Sequence, residues 1–255
     1  MKRTIIFSII LLTLTTFGYT APTMTMTTSK SGEASLLLAG TGSCTIDWGD
    51  GSAVETHALQ ALTEQGWAED EHTFRHRYSR GGGNRTISIT GENITHFSCY
   101  SMEATDLDVS QNTTLTELIC YRNKITELNL GNLVALTRFY CNINQIAVLN
   151  IDNLTALEYL DCSENQLKNL DISKNAKLER VICDENKLTA FDASNNPELK
   201  NVSFVSNQCT SAALDALLKT LNGNAGYKVI HIRKNPGSEG CNDNIAKDKG
   251  WTVWK

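Results

Sequence analysis

From Ile94 to about Cys209, apolar and polar positions alternate in one pattern, L-x-x-L-x-C-x-x-N-x-L-x-x-L-x-I, that returns every 21 residues. Leu115, Leu136, Leu157, Leu178 and Leu199 form one column. Leu118, Phe139, Leu160, Val181 and Val202 form a second, and Cys99, Cys120, Cys141, Cys162 and Cys183 a third, with Phe204 next in line. Asn123, Asn144, Asn165, Asn186 and Asn207 form a polar column. A fixed period of this size marks a solenoid, because one unit alone cannot bury its apolar face. Within a coil, Leu118-Ile119-Cys120 predicts a short strand with Leu118 and Cys120 inward and Ile119 outward. Leu128-Asn129-Leu130 and Leu170-Asp171-Ile172 predict the return run on the other side. Coils of 21 residues leave little room for a helix, so turns or extended segments should close them. The asparagine column should lie inside with its amides bonded to the backbone of adjacent coils, since buried polar groups need partners. Met102 stands in the asparagine place of the first repeat and the last repeat ends near Cys209, so both ends read as capping coils.

Shorter alternations precede the repeats. Thr23 to Ser29, Ala34 to Leu38, Cys44 to Trp48, His72 to Tyr78 and Thr86 to Thr90 predict short strands separated by glycine-rich turns, a small β-sandwich over 22–91. After the repeats, Ser211 starts a helix whose apolar stripe includes Leu214, Leu217, Leu218 and Leu221 and which Gly223 can stop. A strand from Tyr227 to Ile232, a turn at Asn235-Pro236-Gly237, a short helix from Asn242 to Lys247 and a last strand from Trp251 to Trp254 complete an α/β cap over 211–255. At the front, Lys2 and Arg3 precede an apolar run from Thr4 to Tyr19 and then small residues, the layout of a secretory signal over 1–20. That run is short for a membrane span, which needs about 20 apolar residues. The expectation is an exported protein (periplasmic, cell-surface or extracellular) with no stable membrane insertion after signal removal.

The repeat over 92–210 resembles the leucine-rich repeat of short secreted bacterial proteins. The closing signature Asn235-Pro236-Gly237, Cys241, Ile245-Ala246 and Lys249 to Val253 is similar to the end segment of such proteins. Trp48-Gly49-Asp50-Gly51-Ser52, with His76-x-Tyr78 and the strand Thr86 to Thr90, resembles the polycystic-kidney-disease (PKD) type of immunoglobulin-like domain. The resemblance implies structural roles for these residues: the turn braces the sandwich and the tyrosine packs beneath it. The segment is shorter than is usual there, and Leu59 to Asp70 has no counterpart. The fold expected is mainly β: a leucine-rich-repeat solenoid with few helices, an N-terminal β-sandwich-like cap and an α/β C-terminal cap.

A formal net charge of -5 gives no electrostatic reason to expect nucleic acid, which favours a basic stripe. The eight cysteines raise the question of disulfides or metal. Ladder rungs stand about 4.8 Å apart, but their parallel Cβ vectors do not suit a disulfide. No C-x-x-C pattern or histidine column accompanies them, so packed thiols are expected. A Cys209–Cys241 bridge stays open. Asp47, Asp50 and Glu55 lack the ligand order of a calcium loop. His72 and His76 lie on a strand and give no H-E-x-x-H geometry. With no nucleophile elbow or phosphate loop either, no catalytic residue, metal ligand or cofactor is assigned.

Binding has more support. Leucine-rich repeats generally bind through the concave strand face. Outward positions there supply Tyr100, Tyr121, Arg138, Tyr140, Tyr159, Asp161, Arg180 and Asp184 as candidate ligand-binding residues. Tyrosine and arginine dominate interface hot spots. A non-enzymatic recognition protein with a protein or peptide partner is therefore expected. The alternatives are a glycan-binding module, in which the tyrosines stack on sugars and Asp161 and Asp184 accept hydroxyl hydrogen bonds, or a surface spacer with no specific ligand.

Overall fold

The computed structural model describes residues 21–62, 72–79 and 83–255. The expected signal over 1–20, and most of the stretch Leu59 to Asp70, lie outside the described residues. The fold is a mainly β solenoid of the leucine-rich-repeat type.

Five strands precede the regular coils: β1 (Thr23–Thr28), β2 (Glu33–Asp47), β3 (Glu55–Ala58), β4 (Thr73–Arg77) and β5 (Arg85–Ser98). The two strands expected at Ala34 to Leu38 and Cys44 to Trp48 are one 15-residue strand, β2. Glycines turn it where a break was expected. The register shifts at Ala39/Gly40 and Thr41/Cys44, Gly42 adopts φ 85°, and a Cβ on Gly40 would collide with the carbonyl of Asn93. The first half of β5 pairs with β1 and with Cys44 to Asp47 of β2, while its second half pairs with Leu37 to Thr41 of β2. These long, bulged strands enclose the N-terminal part of the hydrophobic core. That core buries Met24, Leu36, Ile46, Trp48, Ile87 and Phe97.

Within it the Trp48 turn is braced. The Tyr78 hydroxyl donates to the Trp48 carbonyl at 3.0 Å, and His76 stacks on the Trp48 ring with centroids 5.0 Å apart. Asp47, Asp50 and Glu55 are engaged with Gly49 N–H, with His76 and Ser52 N–H, and with His57 respectively.

β5 runs unbroken through the division expected at 91/92, and its last three residues are the first rung of the coils. β6 (Ala104–Asp108), β7 (Glu117–Ile119), β8 (Glu127–Asn129), β9 (Arg138–Tyr140), β10 (Tyr159–Asp161), β11 (Arg180–Ile182) and β12 (Asn201–Ser203) follow. The rungs are parallel, in the register His96↔Glu117↔Arg138↔Tyr159↔Arg180↔Asn201. On the return side β6 pairs with β8, and the later coils turn without strands. Asp108, Asn129, Asn150, Asp171 and Asp192 recur there, each accepting the N–H two residues on.

The leucine and cysteine columns are buried, and the asparagine column lies inside as its pattern implied. Asn144 is representative. Its Nδ2 donates to the carbonyls of Cys120 and Cys141, each at 3.0 Å, and its Oδ1 accepts the N–H of Ile125 at 3.0 Å. A left-handed residue precedes each asparagine: Arg122, Ile143, Glu164, Glu185 and Ser206 have φ between 51° and 56°. A second, shorter ladder on the return side went unread in the sequence. Asn175 donates to the carbonyls of Ile151 and Leu154, and Asn196 to those of Ile172 and Asn175.

The coils do not stop at Cys209. α1 (Ser211–Thr220), capped by the Thr210 hydroxyl, leads to β13 (Lys228–His231), and α2 (Asn244–Lys247) to β14 (Trp251–Trp254). Both strands add parallel rungs, Val202↔Ile230↔Val253. Asn235 repeats the ladder, accepting from Cys209 N–H and donating to the carbonyls of Phe204 and Ile232. The step from Asn207 to Asn235 is 28 residues, one repeat plus seven, and the excess accommodates α1 on the return side. Lys249 donates to the carbonyls of Leu218, Lys219 and Leu221 at the C-terminus of α1, where a cation is favoured. All eight cysteines are buried free thiols, Cys209 and Cys241 included.

Candidate functional site

The outward residues of the strand face fall in three columns set by the register. The first runs His96, Glu117, Arg138, Tyr159, Arg180, Asn201, and the second Ser98, Ile119, Tyr140, Asp161, Ile182, Ser203. The third, one alternation beyond the strands, holds Tyr100, Tyr121, Asn142, Ser163, Asp184 and Val205.

The four tyrosines do not share one column. Tyr100 and Tyr121 stand in the third, Tyr140 in the second and Tyr159 in the first, so they cross the face obliquely. Three rungs and two column steps make that track about 20 Å long. Ring contacts divide it into two pairs. Tyr100 stacks on Tyr121 with centroids 5.4 Å apart and planes 16° from parallel. Tyr140 meets Tyr159 at 4.8 Å and 34°. Arg180 lies over the Tyr159 ring, its Cζ 5.5 Å from the centroid. Tyr159 is thus flanked by Tyr140 and a guanidinium, and the stacked rings turn much of their faces to one another. Tyr100 is 40% exposed, while Tyr121, Tyr140 and Tyr159 are half-buried.

Charges sit at two levels. Arg138 and Arg180 are exposed, whereas Asp161 and Asp184 are half-buried. Asp161 Oδ1 accepts from both the N–H and the hydroxyl of Ser163, and Asp184 accepts from Val205 N–H at 2.7 Å and Ser203 Oγ at 2.8 Å. Burial raises the Asp161 carboxyl above the usual range despite the Ser163 hydrogen bonds, with Asp184 adding to the rise. Burial likewise raises Glu117, and Arg138 opposes the shift. His96, 3.8 Å from Glu117, is lowered by burial first and by Arg138 second.

All eight candidate residues therefore lie on one face. The structure joins Tyr100 to Tyr121, and Tyr140 to Tyr159 and Arg180. Arg138 is beside Tyr159 in register, and the two aspartates are held by neutral donors.

Two members of this face were missed in the sequence. The second column continues through His231 to Trp254, paired in register and stacked with centroids 6.1 Å apart and planes 8° from parallel. Trp254 is 51% exposed. The signal was present: Lys228 to Ile232 and Trp251 to Trp254 repeat the inward–outward alternation of the coils, but the longer interval hid their register.

The thiol column offers no nucleophile. Burial pushes Cys99 up to about 12, and Cys44 and Cys209 up to about 11, so these thiolates are negligible at neutral pH. Among the described residues no group of three or more histidine, cysteine, aspartate or glutamate side chains is placed to hold a metal ion, and no helix is long and apolar enough to cross a membrane.

No family model matches the sequence, and no curated protein matches it. Solved structures do. The functional domain of InlJ from Listeria monocytogenes, which includes a cysteine ladder, is 27% identical over 60% of this chain and 32% of its own, with a TM-score of 0.49. Internalin InlF from Listeria monocytogenes is 20% identical over 49% of this chain and 37% of its own, at 0.44. A leucine-rich repeat protein of Leptospira interrogans is 18% identical over 57% of this chain and 44% of its own, at 0.42. The chain thus spans less than half the length of each of these structures.

Proposed function

We propose that this chain is an exported, non-enzymatic recognition protein that binds a protein or peptide through its strand face, the concave side of leucine-rich-repeat solenoids. The observation that carries this reading is the pairing of the tyrosines. A sugar-binding aromatic platform needs open ring faces, and here the Tyr100–Tyr121 stack covers one face of each ring while Tyr159 is flanked by Tyr140 and Arg180. What such rings offer a partner is chiefly edges and hydroxyls, set among Ile119, Ile182 and two arginines. That mixture of large apolar area with polar handles is the composition of protein interface hot spots.

The N-terminal β strands serve in this reading as a PKD-like module that starts the stack, and residues 211–255 as the segment that ends it. Burial and raised thiol pKa values disfavour cysteine as a nucleophile. Export rests on the charged, apolar and small-residue layout of residues 1–20. Placement in the periplasm, at the cell surface or outside the cell follows from export.

The test is a pull-down from host-surface and bacterial-envelope protein extracts beside a glycan array, using wild type and the Tyr121→Ala/Tyr140→Ala double variant. Capture of a protein that the double variant loses at unchanged melting temperature is the expected result. Capture that survives the double change overturns the strand-face reading, and binding confined to the glycan array replaces the protein partner with a sugar.

A further inference from the structure

Arg138, Tyr159 and Arg180 occupy three successive rungs of one column, directly paired as Arg138↔Tyr159↔Arg180. Both arginines are exposed and stand two rungs, about 10 Å, apart with the tyrosine between them. Neither makes an ion pair with any described residue, whereas Lys124, Lys200 and Lys247 elsewhere on the surface each do. The acids nearest the column are recessed. Glu117 is buried, and Asp161 and Asp184 are half-buried and bonded to serine hydroxyls and backbone N–H groups. The charge that reaches an incoming surface is therefore positive, although the chain as a whole is negative.

Resting on the protein-binding reading of this face, we propose that Arg138 and Arg180 form a clamp for a carboxylate of the partner, an aspartate or glutamate in a polypeptide segment lying along the tyrosine track. Guanidinium groups present planar forks that match a carboxylate with two parallel hydrogen bonds. Arg180 is already held over the Tyr159 ring, which limits the freedom it loses on binding. The Tyr159 hydroxyl lies in the same column and can donate a further hydrogen bond to the bound carboxylate. Ile119 and Ile182 supply the apolar contacts beside the track. The occupant this geometry selects is an acidic segment with neighbouring apolar or aromatic side chains, and a basic segment is repelled.

The probe is a displayed library of random linear peptides, selected separately on wild type, on Arg138→Gln/Arg180→Gln, and on Tyr121→Ala/Tyr140→Ala, each checked for an unchanged melting temperature. Wild type is expected to enrich peptides carrying aspartate or glutamate beside aromatic residues. Individual peptides from that pool should bind at least tenfold more weakly to the arginine variant, and replacement of their acid by its amide should reproduce the loss. Arg138→Lys/Arg180→Lys should restore only part of the affinity, because a lysine cannot grip in two places. Wild-type binders without acidic enrichment, or acidic peptides indifferent to the arginine change, overturn the clamp. So does a library that yields no binder. Peptides that need the tyrosines but ignore the arginines overturn the clamp alone, while peptides indifferent to both changes overturn the strand-face reading beneath it.

Discussion

Asn144 joins two coils through Cys120: its Nδ2 donates to the Cys120 carbonyl, 3.0 Å away in the preceding coil, while also holding the Cys141 carbonyl of its own. The same two-carbonyl grip recurs at Asn123, Asn165 and Asn186, and on other carbonyls at Asn235. It satisfies backbone carbonyls at the bend after each strand.

Asn144→Ala leaves the Ile125 N–H unbonded in the interior and removes one of two amide donors from each of the Cys120 and Cys141 carbonyls, which keep Asn123 and Asn165. An orphaned buried N–H costs about 1–3 kcal/mol and the two weakened carbonyls add to it, so a loss of roughly 2 kcal/mol is expected. Urea unfolding measures it, and a loss below about 1 kcal/mol contradicts the role given to the ladder.

Ile143, immediately before that asparagine, holds φ at 56°. A β-branched residue is strained in this region, at a cost on the order of 1 kcal/mol or more. Ile143→Asn places a residue that tolerates the left-handed conformation at a half-exposed site and is expected to raise stability by about 1 kcal/mol. An unchanged or lowered urea midpoint contradicts the strain.

The thiols should behave as packed apolar groups. Native protein at pH 8 is expected to resist alkylation at Cys99, Cys120, Cys141, Cys162 and Cys183, because burial raises every one of them. Unfolding without reductant should expose all eight to the reagent. Mass spectrometry counts the labels, and blocked ladder thiols refute free packing.

Asp161 carries a pH signature. Its folded pKa is raised, so the native state binds its proton more tightly than the unfolded chain, and the charged form is a burden above the folded pKa. Asp161→Asn is therefore expected to melt higher than wild type at pH 7. The difference should shrink as pH falls through the folded and then the unfolded pKa. A gap that widens in acid has the wrong sign for this account.

Much of this was legible in the residues, and the reason lies in the repetition. In a stack each coil meets a copy of itself, so a column such as Leu118, Phe139, Leu160 declares its own neighbours. Cys99 to Cys183 could be assigned to the interior, and Asn123 to Asn207 to backbone bonding, before any coordinate was known. The outward positions followed from alternation. Residues that break the period were harder. Gly40 and Gly42 mark a bend in one strand as readily as a gap between two, and only the approach of Asn93 to Gly40 decides between them. Asn235 carries the ladder at an interval of 28, invisible to a search at 21.

The sequence by itself thus determined the coil, its inward columns and the face on which to look, because these depend on local alternation and exact recurrence. Only the tertiary structure decided how that face is composed. It carried β5 from its pairing with β1 into the first rung, extended the coils through β13 and β14, and set Trp254 against His231. It also stacked the tyrosines in two pairs and left Arg138 and Arg180 outside while Asp161 and Asp184 sank inward. Those outcomes depend on contacts between different columns and on side-chain directions, which a one-dimensional period does not encode.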